Sequence, residues 1–363
     1  MKVTSVTAIA VSIPRLKPFK SSLGIHTYSE NAVVEITTDE GITGFGEAAS
    51  VWDRKGRGEA NFINDALADV VVGTNPFRIN ETVALMNQRL HQAWPAKAGI
   101  EMALFDIVGK AVDRPVYDLL GGCVRDRVMV CRSLPIGPVE DVVDQARRLA
   151  AEGYKTLKAK LGLDPVAEVA IVAGLREALP DLILRVDANM SWGSAKDAVR
   201  VIRDLEEFDL EMVEQPLPGH DLDGMRFVRE SVEVPIMADE SMWTPRDALA
   251  CIKADAADIF NVYVAEAGGI GPAAAVFSLA EAAGIPCMIG SMPEFGIGTA
   301  AQAHLAFAMR NIGFACDLNG FTYHSDDVCE HGLRIEDGYL YPPRGPGLGI
   351  EIDRARVDQY RVA

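Results

Sequence analysis

The sequence predicts an α/β protein, a TIM-like (β/α)7β barrel with an α+β capping domain built from both ends of the chain, and three observations lead there. From Val128 onward eight short β-branched runs recur, and the key positions near their ends, from Lys160 to Asp317, lie 24 to 27 residues apart. Between the runs stand amphipathic stretches of helical period, several closing on a glycine. The flanking segments, residues 1–125 and 326–363, lack this rhythm.

Taken in order, residues 1–125 read as antiparallel strands over Lys2 to Ile13, Asn31 to Thr37 and Gly44 to Ala48, followed by helices through Leu120. Asp39-Glu40-Gly41 is turn chemistry for a hairpin between the last two strands. The barrel, residues 126–325, is predicted from runs at Val128 to Leu134, Thr156 to Leu161, Ile183 to Asp187 and Glu211 to Glu214. It continues through Pro235 to Asp239, Asp258 to Tyr263, Pro286 to Ile289 and Phe314 to Asp317. Helices are expected over Val139 to Gly153, Pro165 to Leu179, Ala195 to Phe208, Pro245 to Ala254 and Ile270 to Ala283. A doubly wound sheet is the competing arrangement, but it wants a Gly-rich phosphate turn after its first strand. Gly121-Gly122 and Gly268-Gly269-Ile270-Gly271 lack that fingerprint. Beyond Asp326 short strands and Gly/Pro turns return, which suits a tail that completes the cap.

At 363 residues, 49% of them hydrophobic, the chain is long enough for more than one structural unit. Its N-terminal apolar run is broken by Thr4, Ser5, Thr7 and Ser12, so it reads as a strand rather than a leader. No stretch approaches the roughly 20 apolar residues that span a bilayer. The six cysteines form no Cys-x-x-Cys pair, and a reducing cytoplasm is expected. A net charge of −17 argues against nucleic acid and acidic membranes as partners. Attraction for an anionic substrate must therefore be local.

Active sites of such barrels lie at the C-terminal ends of the strands. There the sequence places Lys158-Ala159-Lys160, Asp187-Ala188-Asn189, Glu214-Gln215-Pro216 and Asp239-Glu240-Ser241 on consecutive strands. Three carboxylates, Asp187, Glu214 and Asp239, converging from adjacent strands repel one another unless a cation sits between them. An all-oxygen set selects Mg²⁺, or Mn²⁺, over zinc or copper. The plainer alternative, in which each acid caps a helix or pairs with a lysine, must hold three times in register to explain the pattern. Lys158 and Lys160, two apart on a strand, share the inward face. Two neighbouring ammonium groups are expected to lower each other's pKa, which makes a usable base. The alternative is that they only neutralise the acids.

These residues resemble the enolase superfamily, and within it the muconate-lactonizing-enzyme subgroup: Lys-x-Lys on the second strand, then Asp, Glu and Asp on the third to fifth. The segments Asp39-Glu40-Gly41-Ile42-Thr43-Gly44-Phe45-Gly46-Glu47, Pro115-Val116-Tyr117-Asp118-Leu119-Leu120-Gly121-Gly122 and Glu266-Ala267-Gly268-Gly269-Ile270 extend the resemblance over essentially the whole chain. A lysine or histidine base, with Mg²⁺ stabilising an enediolate, is a general property of that superfamily rather than a reading of these residues. The resemblance implies that a small carboxylate substrate binds a metal on Asp187, Glu214 and Asp239. It implies that Lys160 exchanges the α-proton, that Lys158 stabilises the enediolate and that Glu294 acts from the far side. Asn189, Glu240 and Asn261 stand beside the ligands as supporting or substrate-contacting residues. Specificity would come from cap loops at Leu16 to Ser29 and Val51 to Arg57, where Lys17, Lys20, His26, Tyr28, Trp52, Arg54 and Lys55 are available to a substrate. A homo-oligomer is implied by the same resemblance alone.

Two departures bear on the reaction. The subgroup commonly carries a second lysine at the end of the sixth strand, where this chain reads Asn261-Val262-Tyr263. Racemisation needs a base on each face of the α-carbon, and a phenol of ordinary pKa near ~10 is a poor one. One-base chemistry is favoured, either muconate-cycloisomerase-like ring closure or elimination by a dehydratase, with an amino-acid or N-acylamino-acid racemase as the alternative. The eighth strand reads Asp317-Leu318-Asn319 where dipeptide epimerases of the subgroup present two aspartates to a substrate ammonium, so a cationic substrate is less supported. A metal-stabilised barrel that binds a ligand without turnover is the reading from another class, and the paired lysines argue against it.

Overall fold

In the computed structural model, which describes residues 1–50 and 55–362, strand β1 (Val3–Ser21) pairs antiparallel with β2 (Gly24–Thr38), and β2 with β3 (Thr43–Ala48). Val11, Ile13, Val34 and Ile36 are buried in alternation, whereas Asn31 to Val34 are buried on both faces of β2. Helix α1 (Trp94–Ala111) lies across this sheet. A Cβ at Gly46 would fall 1.9 Å from the Gly99 carbonyl oxygen, so only glycine permits that approach.

The segment Leu16 to Ser29, expected as a cap loop, is instead the distal half of the β1–β2 hairpin, turning at Ser22 and Leu23. Its register shifts between Pro14 and Phe19, where Pro18 cannot donate to the ladder. The tip reaches the downstream half of the chain, with Ile136 N donating to Lys20 O (2.9 Å) and Ser22 Oγ to Ala188 O (3.3 Å).

Downstream, seven strands run parallel in chain order: β4 (Cys131–Leu134), β5 (Thr156–Lys160), β6 (Ile183–Asp187), β7 (Leu210–Glu214), β8 (Ile236–Ala238), β9 (Ile259–Val262) and β10 (Cys287–Ile289). Residues on both of their faces are buried, as continuous β-branched runs require. The expected eighth run is not a regular strand. Its backbone nonetheless bonds to both outer edges, Asp317 N to Ile289 O (2.8 Å) on one side and Cys131 N to Cys316 O (2.9 Å) on the other. The parallel sheet is therefore curled.

Helices α2 (Val139–Ala151), α3 (Pro165–Ala178), α4 (Ala195–Leu205), α5 (Leu222–Ser231), α6 (Pro245–Ala254), α7 (Ile270–Ala283) and α8 (Gly296–Ala308) connect or follow these strands. Their starts are chemically marked. Asp164 accepts from Val166 N, Ser194 from Asp197 N, and Thr244 with Asp247 forms a capping box. Helix α7 stops at Gly284, which takes the left-handed conformation. After Asp326 the chain pairs Cys329–His331 with Ile350–Ile352, and Val362 N returns to Ala10 O (3.0 Å) on β1. Among the described residues no helix is long and apolar enough to cross a membrane, and all six cysteines are unpaired.

Candidate active site

Parallel register does most of the assembly. Lys160 sits opposite Asp187, and Asp187 opposite Glu214, while Asp239 follows directly after β8. Strand ends thus deliver Asp187, Glu214 and Asp239 with one oxygen each within 4.8 Å of the others, all three residues buried. The backbone just beyond two of these acids is strained, with Asn189 at φ 42°, Met190 at 67° and Gln215 at 35°. Gln215 repays its strain with a clamp: its Oε1 accepts from Asp239 N (2.9 Å) and Ser241 N (3.2 Å), tying the end of β7 to that of β8.

The lysines enter the same cluster. Lys158 Nζ donates to Glu214 Oε2 (2.8 Å) and Asp317 Oδ2 (2.7 Å), and Lys160 Nζ to Asp187 Oδ2. Burial works to lower both amines, but the carboxylates outweigh it: Asp187 lifts Lys160 above its usual range despite Lys158, and Asp317 and Glu214 lift Lys158. Lys158 does lower Lys160, as expected, but the nearby acids outweigh it, so neither lysine ends below its usual range. Among the acids, burial and then Asp187 push Glu214 well up, and burial and then Glu240 push Asp239 up to about 8. Asp187 resists burial and is held low by Lys160.

Four buried carboxylates, those of Asp187, Glu214, Asp239 and Asp317, with the half-buried Glu240 beside Asp239, face two lysines, so the cluster is short of positive charge. Asp239 Oδ1 is buried with no hydrogen-bond partner. A hard divalent cation satisfies both conditions, and an all-oxygen donor set suits Mg²⁺. The residues present fit that group.

Asn261 and Tyr263 close one side of the cluster. Tyr263 Oη donates to Asp239 Oδ2 (2.8 Å), and Asn261 Nδ2 donates to Glu214 Oε1 (3.1 Å) and Tyr263 Oη (3.1 Å). Burial, then Asp239, raises the phenol well above its ordinary pKa. Gly290 leaves room for the ring, since a Cβ there would meet Tyr263 Cζ at 2.3 Å.

A cavity of about 100 Å³ opens over the cluster. Lys158, Lys160, Asp239 and Tyr263 line it, as do Asn189, Glu240, Asp317 and Asn319. Asp187, Glu214 and Asn261 are fully buried and do not line it. Glu294 lies behind the wall: its carboxylate accepts from Ser291 Oγ (2.6 Å), Met292 N (3.0 Å) and Gln302 Nε2 (2.7 Å). Asp317 is already engaged by Lys158. Tyr28 is 59% exposed and borders a neighbouring cavity instead, because its position on β2 turns it outward. Lys17 and Lys20 are exposed, whereas His26 lines the site. Trp52 and Arg54 lie outside the described residues.

Several wall residues were not named from the sequence, although Phe19, Ser21 and Leu23 fall within the segment Leu16 to Ser29 expected to set specificity. Arg15, Phe19, Ser21 and Leu23 come from the hairpin, Ser133 from the end of β4, and Tyr323 from the turn after Asn319. The strand-end rule alone points to Ser133, which stands opposite Lys158. No local signal marked Arg15.

Residues 3–121 match the family described as mandelate racemase / muconate lactonizing enzyme, N-terminal domain, and residues 141–356 match the enolase C-terminal domain-like family. The chain is 31% identical to an N-succinyl-L-Arg/Lys racemase of Bacillus cereus, over 100% of its own length and 98% of that protein. The crystal structure of that racemase superposes with a TM-score of 0.96, over 100% of this chain and 99% of the other. An L-Ala-D/L-Glu epimerase of Bacillus subtilis is 34% identical over 96% and 97% of the two chains. Muconate cycloisomerase 1 of Rhodococcus opacus is 32% identical over 98% of each. Shared family models along both halves, with a buried Asp/Glu/Asp triad at consecutive strand ends, place this chain in the muconate-lactonizing-enzyme subgroup of the enolase superfamily.

Proposed function

We propose that this protein is an isomerase or lyase that removes the proton α to the carboxylate of a small substrate, with Lys160 as its one base and Mg²⁺, or Mn²⁺, on Asp187, Glu214 and Asp239. When bound, the cation supplies positive charge beside the substrate carboxylate, stabilising the enediolate and countering the acids that raise Lys160. Lys160 reaches the cavity from β5 and takes the proton. Lys158, buried deeper, holds its charge against Glu214 and Asp317 and is placed to stabilise negative charge developing on the substrate. Asn189, Glu240, Asn261 and Asn319 position these groups, and Glu294 acts by holding the Ser291–Met292 wall.

The observation that carries a one-base reaction is Tyr263. Its proton is committed to Asp239 and its pKa is pushed up, so the face served by a second lysine elsewhere in the subgroup has no base here. Ring closure of the muconate-cycloisomerase kind, or elimination of a β-leaving group, needs only one. The names of the Bacillus relatives favour a second reading, racemisation or epimerisation of an amino-acid derivative. Incubation with Mg²⁺ in D₂O separates them: one-base chemistry exchanges the α-proton with retained configuration, and a racemase scrambles it. Lys160→Met is expected to slow exchange by roughly 100- to 10,000-fold. Full exchange in that variant would overturn the assignment.

The finer architecture belongs to the same reading. The bonds from residues 314–317 to both sheet edges support a (β/α)7β barrel, and the contacts of β1 with Val362 support a cap formed by residues 1–125 and 326–363 over a barrel of 126–325. Six free thiols support a cytoplasmic setting, and a homo-oligomer rests on family likeness.

A further inference from the structure

The hairpin wall of the cavity carries a cation that the reaction above does not use. Arg15 is half-buried on β1, just past Pro14 and inside the stretch where the register shifts. Its backbone is bridged to His324, and Ser325 N donates to Pro14 O (2.9 Å), so the residue is held from both sides. Its side chain is pinned at the neck: Nε donates to Ser29 Oγ (3.3 Å), and the guanidinium stands 5.9 Å from the Phe19 ring centroid. Among the described residues no carboxylate pairs with it. Arg229 and Arg356, similarly half-buried, each pair with two or more carboxylates.

The surroundings make that isolation meaningful. Arg15 lines both the reaction cavity and the adjoining one, so it stands at their junction. His26 beside it is lowered by burial first, then by Arg15, Lys55 and Lys160. Arg15 itself is lowered by burial. Phe19, Met292 and Tyr323 line the same cavity and limit the water that a cation there can keep. A partly desolvated guanidinium with free donors is a fork for an oxyanion, and a dry setting strengthens the pair.

Resting on the reading of the site as an α-carboxylate enzyme, we propose that Arg15 is its specificity residue and binds a second carboxylate, so that the substrate is a dianion. One carboxylate goes to the metal cluster and the other, on the far side of the reacting carbon, to the hairpin. This also supplies the local attraction that a chain of net charge −17 needs for an anion.

Isothermal titration of the Mg²⁺-loaded full chain with glutarate and adipate, each beside its matched monoacid pentanoate or hexanoate, tests the proposal. The diacid that spans the cavity is expected to bind roughly 10- to 100-fold tighter than its monoacid. Arg15→Met is expected to bring that ratio close to one, and Arg15→Lys to restore part of it. If Arg15→Met fails to fold by circular dichroism, Arg15→Gln takes its place. A ratio near one in the parent protein, or one that survives loss of the guanidinium, overturns the role of Arg15 and leaves the α-carboxylate reading standing. If Mg²⁺ binds and neither class of acid does, the α-carboxylate reading fails and the Arg15 proposal fails with it.

Discussion

Tyr263 was legible in the sequence as a phenol in a lysine's place, but not what the phenol does there. Its hydroxyl donates to Asp239, a proposed metal ligand, and it accepts from Asn261, which also holds Glu214. A residue so placed tunes the ligands. Tyr263→Phe is expected to weaken Mg²⁺ binding by roughly 10- to 100-fold, while kcat at saturating metal falls by less than about tenfold. Titration of Mg²⁺ against activity reads both numbers, and a collapse of kcat that excess metal cannot restore would make Tyr263 a proton donor. Glu294 shows the opposite limit of sequence reasoning. Its motif marked it for the site, yet its oxygens turn away from the cavity because Ser291 and Met292 in its own loop and Gln302 on α8 all offer donors there.

Among elements, the strands of the curled parallel sheet and the helices between them matched their sequence signals closely: β6, α6 and α7 span the predicted ranges. Each is encoded by neighbours a few residues apart. The hairpin was misread because Pro14, Lys17, Pro18 and Lys20 break the alternation that identifies a strand. Pairing with β2 overrides that weak local preference. The loop after β10 depends on close approaches that no periodicity announces. Glu47 on β3 accepts from Phe295 N (2.8 Å) and Gly298 N (2.8 Å), so the N-terminal antiparallel sheet holds the start of α8 and the wall before it. Gly290→Ala is expected to push Tyr263 and Asn261 off the ligands, with Mg²⁺ affinity lost and far-ultraviolet circular dichroism retained. Unchanged Mg²⁺ affinity in that variant would show that the ring has room to move.

For the whole molecule, the acid cluster is a source of instability that a cation relieves. Adding Mg²⁺ is expected to raise Tm by an amount that grows with its concentration, and chelation to reverse it. Substituting Asp239→Asn should flatten that dependence, and a Tm indifferent to Mg²⁺ would argue against the triad as a metal site. A second dependence runs through His304, which burial lowers to about 4. Unfolded, the imidazole takes its proton near pH 6.5, whereas folded it refuses it until about pH 4. Between those values the unfolded chain binds more protons, so this group's contribution to stability is lost as pH falls through that window. His304→Asn should therefore lose less stability than the parent between pH 7 and pH 4.5. The buried carboxylates titrate alike in both proteins, so the difference isolates the imidazole. Identical slopes would place His304 outside this accounting.

The sequence by itself determined the repeating strand–helix pattern, the three acids and two lysines at the strand ends, and the absence of a lysine at Tyr263. All of these follow from spacing along the chain, because parallel strands in register carry equivalent positions to one rim. Only the tertiary structure decided that Arg15 lines the cavity, that Tyr28 faces away from it, and that the acids outweigh the lowering of Lys160 by burial and Lys158. Those outcomes depend on which distant side chains share a buried volume. Charge and desolvation act through space, so they are invisible to any pattern read along the chain.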